Sequence, residues 1–166
     1  MRWVDRTREV RNLINPAFCS VILRQSVEGY SSVASGGALP LTLSFLVLPL
    51  VLHKRTRNHL PTSVATSLHA WLERVPQAKV GFPERAQSTV RYTREAMVFG
   101  TSCKLLTLTD SGIGLVAGSK GVRGLSAYKT TSSEVKNCIE KAALVGKLFG
   151  RAGSPASIYA VLGVKP

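Results

Sequence analysis

Acidic side chains are scarce in this sequence, with nine Asp and Glu against 22 Lys and Arg, a formal net charge of +13. Such an excess favours polyanions through counterion release or long-range attraction. It also suits an acidic protein surface, or a subunit whose charge is neutralised inside a complex. The basic residues are spread along the chain, with no tail of consecutive Lys or Arg. Cysteine is equally sparse. Cys19, Cys103 and Cys138 stand far apart with no CxxC spacing, which argues against a disulfide framework and against a zinc site. They are expected to be buried small apolar residues of a cytosolic protein.

Long apolar runs are missing too. The longest, Ala38 to Leu52, spans about fifteen residues, short of the roughly twenty needed to cross a bilayer. Pro40 and Pro49 interrupt it and Thr42 and Ser44 lie inside it, so a buried core helix, starting afresh at Pro49, is the expectation. Met1 to Arg6 contains no apolar core region, so no secretory leader is expected. Together these points predict a soluble, cytoplasmic protein with no membrane partner.

Motifs for chemistry are absent. Gly114 to Gly121 superficially has the look of a phosphate loop, but Lys120 is followed by Gly121 where Ser or Thr is required. His53, His59 and His69 lie at no i, i+4 spacing from another His or Cys, and Glu73 shares only a helix face with His69. No cysteine has an obvious His partner. The expectation is a non-enzyme without cofactor or metal, and there is no internal repeat.

What the sequence does contain is a series of helix signals and one hairpin signal. Asn15-Pro16 caps and opens a helix whose face carries Phe18, Ile22 and Gln25. Thr62 or Ser63 caps a helix carrying Val64, Leu68, Trp71, Leu72 and Val75, which Pro76 ends. Gly81-Phe82-Pro83-Glu84 opens a short helix. Thr93 caps another, in which Ala96, Phe99, Gly100 and Cys103 form the apolar stripe. Leu106 and Leu108, an Asp110-Ser111-Gly112 turn, then Ile113 and Leu115 read as a hairpin. Thr131-x-x-Glu134 suggests a capping box for a helix with the stripe Val135, Cys138, Ile139, Ala142, Val145 and Phe149, and Ser154-Pro155 opens a last one.

The expected fold is therefore one domain over 1–166, mainly α with a small β-hairpin. A winged-helix-like unit at 62–117 (helix, helix, helix, hairpin) is flanked by N-terminal helices at 15–60 and C-terminal helices at 131–163. Winged-helix units bind DNA or dock proteins. The outward face of 93–104 carries Arg94, Val98, Thr101, Ser102 and Leu105, with Lys104 to one side. Val98 and Leu105 stand where base-reading side chains belong, so this face suits a partner, through Met97, Val98 and Leu105, or a further core layer. Arg94, Lys104, Lys120 and Arg123 are candidates for DNA phosphate contact, which would be independent of sequence.

Several segments carry a family resemblance: Asn12 to Cys19, Phe45 to Lys54, Leu60 to Ser63, Trp71-Leu72, Gly81-Phe82, Tyr92 to Ala96, Arg151 to Ser154 and Gly163 to Pro166. In order and spacing the chain resembles the middle component of the three-component ABC systems of bacteria and archaea. The resemblance implies a non-catalytic adaptor between an SMC/Rad50-like ABC ATPase and an effector subunit such as a nuclease, in an antiviral defence system against phage or other mobile DNA. The alternative is a free-standing winged-helix DNA-binding transcriptional regulator, and a cysteine enzyme is a remote third.

Overall fold

Asn15 and Pro16 begin the first helix as their chemistry dictates. The Asn15 side-chain oxygen accepts from the Ala17 amide at 2.9 Å, and proline fills a position that needs no N–H. The computed structural model describes residues 14–35, 37–118 and 132–165. Among them seven α-helices and one antiparallel hairpin are formed: α1 (Pro16–Ser31), α2 (Leu41–Val51), α3 (Lys54–His59), α4 (Leu68–Arg74), α5 (Phe82–Ser102), β1 (Leu106–Thr109), β2 (Gly112–Leu115), α6 (Ser133–Arg151) and α7 (Pro155–Leu162). A single 3-10 turn, Pro76–Ala78, joins α4 to α5. The mainly helical architecture with a small hairpin is as expected.

The central element is α1, which packs most extensively on α6 and next on α5. Cys19, Ile22, Leu23 and Val27 are fully enclosed, and so are Ser20 and Ser26. The expected single face (Phe18, Ile22, Gln25) is thus too narrow: a helix covered on several sides buries residues all round. Ser26 meets its hydrogen-bonding need by donating to the Ala142 carbonyl of α6 at 2.9 Å. The apolar run does form a core helix, but Pro49 lies inside α2 and does not restart it. The basic stretch after it folds as the separate helix α3, with the His53 Nδ1 capping the Thr56 amide.

The helix, helix, helix, hairpin order of a winged helix is not what residues 62–117 form. The second and third expected helices are one, the 21-residue α5. Thr93 is no cap; it is buried at mid-helix and its hydroxyl donates to the Thr89 carbonyl at 3.2 Å. Between Pro83 and Gly100 there is no glycine or proline to stop propagation, so the helix runs through. Two further boundaries move. α4 begins only at Leu68, capped by Ser67, and α6 is capped by Ser132, whereas Thr131 lies outside the described residues. Ser154 caps α7 as expected.

The hairpin pairs Leu106 with Leu115 and Leu108 with Ile113 across an Asp110-Ser111 turn. On its other side Ile113 exchanges both main-chain hydrogen bonds with Leu39, at 2.9 and 2.8 Å, which ties the segment before α2 to the hairpin. This seam requires Gly112: its φ is +143°, and a Cβ there would lie 2.1 Å from the Leu39 oxygen.

Candidate functional site

Two surfaces and one cation-lined cavity distinguish the outside of the molecule. A concavity of about 680 Å³ lies where α2, α5 and the segment after α7 converge. Phe45, Leu46, Ala86, Val90 and Val164 make it mainly apolar, and Glu84, Arg94 and Lys165 place charges around it. The Tyr159 hydroxyl donates to the Thr42 carbonyl at 2.8 Å, pinning α7 against the start of α2. Burial raises the Tyr159 pKa above the usual phenol value.

The second surface is apolar and exposed. Val98 is 67% and Phe99 38% exposed on the last turns of α5, and Leu108 is 60% exposed on the hairpin that follows. The expected docking trio is split by the turn of the helix. Met97 is only 8% exposed and belongs to the core, Leu105 packs against that core, and Val98 alone faces outward. The expected stripe is likewise rotated: Ala96 and Gly100 are buried, whereas Phe99 and Cys103 reach solvent.

Of the candidate phosphate contacts, Arg94 and Lys104 fall within the described residues. Arg94 stands beside the large groove, and Lys104 sits past the end of α5 with a left-handed φ of 55°. About 12 Å of helix lies between Arg94 and the end of α5 at Ser102. Lys120 and Arg123 lie outside the described residues.

Several cations have a structural use that sequence reasoning did not foresee. The Arg57 guanidinium, 3% exposed, donates to Val51 O at 2.8 Å, Asn137 Oδ1 at 3.0 Å and Glu134 Oε1 at 2.8 Å. Lys141 donates to the Pro61 carbonyl at 2.9 Å, and its burial lowers its pKa. Arg85 donates to the carbonyls of Val80 (2.7 Å) and Ala78 (3.2 Å), closing the turn before α5. The only signal for these roles is position: each lies within reach of helix-terminal carbonyls that need donors.

The cysteines divide. Burial, with Glu95 adding to it, pushes the Cys19 thiol up to about 12, and burial also raises Cys138. Cys103, expected to be buried, is exposed because α5 ends just before it. At pH 8 a thiol of that pKa is roughly one ten-thousandth thiolate, and the thiolate is the reactive form. A disulfide reagent should therefore titrate one thiol per native chain, at Cys103, and all three only after unfolding. Rapid modification of Cys19 in the native protein would contradict its burial.

Among the described residues no group of His, Cys, Asp and Glu is placed to hold a metal ion, and no helix is long and apolar enough to cross a membrane. Comparisons with curated proteins and with solved structures each returned no match. A family model does match, and it spans residues 3–166, nearly the whole chain. Its extent takes in the helices, the hairpin and the groove together, and by it the chain belongs to the family of the ABC-three component (ABC-3C) system Middle Component 3.

Proposed function

We propose that this middle component is a non-catalytic adaptor of a cytoplasmic antiviral defence complex. It holds an SMC/Rad50-like ABC ATPase and an effector subunit together and passes the ATPase's DNA-engaged state to the effector. The family supplies the partners in outline, since a middle component works within a multi-component ABC system. The observation that carries the reading is the exposure of the large apolar side chains Val98 and Phe99 at the end of α5 and Leu108 on the hairpin that follows it. Large side chains left in water on a helix end and a hairpin suit protein docking. DNA, in this reading, is met without sequence preference, through phosphates at Arg94 and Lys104.

Co-expression with the ATPase and effector encoded beside it, followed by affinity capture and mass measurement, tests the reading. A ternary complex is expected, and Val98→Asp with Leu108→Asp should weaken it at least about tenfold while the circular dichroism stays unchanged. Unimpaired assembly of the double variant would move the docking surface elsewhere. ATP hydrolysis or DNA cleavage by the purified chain alone would overturn the adaptor, and tight binding to one duplex sequence would favour a regulator instead.

A further inference from the structure

Beside α3 lies a smaller cavity of about 290 Å³ whose lining is cationic and contains no carboxylate. His53, Arg55 and His59 come from α3 and its cap, and Arg85 comes from α5, with Thr56 and Gln77 between them. Burial lowers the Arg85 pKa and Glu84, which lines the neighbouring groove, partly offsets that. From this convergence we infer that the cavity beside α3 binds a phosphate group, held by Arg55 and Arg85 with the two histidines at its wall.

Three features of the site support that reading. Like charges gathered at one concavity repel one another unless an anion joins them. The repulsion is visible at His53, whose pKa is lowered first by burial and then by Arg85, Arg55 and Arg57. Donors are also in supply. Arg85 uses two of its five N–H groups on carbonyls, and its buried Nε has no hydrogen-bond partner among the described residues. His59 donates its Nδ1–H to the Arg55 carbonyl at 2.7 Å, so its neutral ring has no second donor and it serves only as wall. His53 accepts the Thr56 amide at Nδ1, so its proton sits on Nε2. Finally, the volume admits a phosphate ester but not a duplex, so one phosphate can enter while any longer chain stays outside.

The test uses the purified full chain with imidazole-detected NMR at constant ionic strength. Inorganic phosphate and a nucleoside monophosphate should each produce saturable shifts at His53 and His59 and compete with one another. Arg55→Gln, at an exposed side chain, should weaken both at least about fivefold with the fold intact, and Arg85→Gln provides a second variant whose folding is checked by circular dichroism. A random-sequence duplex that displaces phosphate identifies the source as a nucleic-acid backbone, and one that does not identifies a small phosphorylated ligand; either outcome supports the site. Absence of a saturable shift up to about 10 mM phosphate, or an equal shift with chloride, overturns it.

Discussion

Replacing Gly146 with alanine should lower the unfolding free energy by about 3 kcal/mol, although the same change in an open helix would add about 1 kcal/mol. The sign reverses because α1 and α6 cross at backbone distance. A Cβ on Gly146 would lie 2.0 Å from the Ser26 carbonyl oxygen and 2.9 Å from the Tyr30 amide nitrogen. Ordinary contact begins at 3.4 Å, so the helices must part by more than an ångström. Separation on that scale breaks the Ser26–Ala142 hydrogen bond and opens the core around Val145 and Phe149. Neither helix can yield easily, since α1 is held from its other side by α5. Gly29 is the reciprocal contact, with a Cβ only 2.1 Å from the Ala143 oxygen. Gly29→Ala should cost a similar amount, and the double variant less than the sum, because the first substitution already opens the crossing. Urea unfolding measures all three. A Gly146→Ala protein as stable as the parent would contradict backbone contact between α1 and α6.

The second large effect belongs to Arg57. Arg57→Met should destabilise the protein by about 3 kcal/mol, whereas Glu134→Gln should cost under about 1 kcal/mol. Both remove the same ion pair, so the difference locates the energy. Glu134 is more than half exposed and returns to water when the pair is lost. Arg57 is buried, and its fork satisfies the Val51 carbonyl at the end of α2 as well as Asn137 in α6. Methionine fills the volume but leaves these acceptors without a donor. Arg57→Lys should fall between, because one ammonium cannot reach three groups set in a plane. Cys138, buried close to the Arg57 side chain, offers an independent reading: it should become accessible to thiol reagents in Arg57→Met and stay protected in Glu134→Gln. Equal destabilisation by the two variants would place the energy in the exposed pair instead.

The buried uses of Arg57, Lys141 and Arg85 change how the charge excess is understood. Part of it supplies donors to main-chain carbonyls at helix ends rather than a face for polyanions. What remains outside is uneven, with Arg55 at a cavity wall and Arg94 beside a groove. A net charge cannot distinguish these cases, because it records how many cations there are and not what each one touches.

Local chemistry made the ends of several elements legible. Asn15 and Ser154 cap their helices, Pro76 ends α4, and Asp110-Ser111 turns the hairpin, because capping and turn formation act within a few residues. The fusion of two expected helices into α5 shows where this reading stops: Thr93 has the chemistry of a cap, but in an unbroken helix its hydroxyl bonds backward and nothing ends the turn. Side-chain faces shifted for a related reason. Met97 and Val98 are neighbours, yet one is core and the other surface, and the difference is set by α1 and the hairpin packing against α5. The helical class, the hairpin and the caps at Asn15 and Ser154 follow from local sequence. Which cations are buried, which glycines bring helices into backbone contact and which apolar side chains face water follow from packing between distant segments. Those outcomes depend on partners far away in the chain, such as Ser26 with Ala142 or Arg57 with Glu134, and no local pattern encodes them.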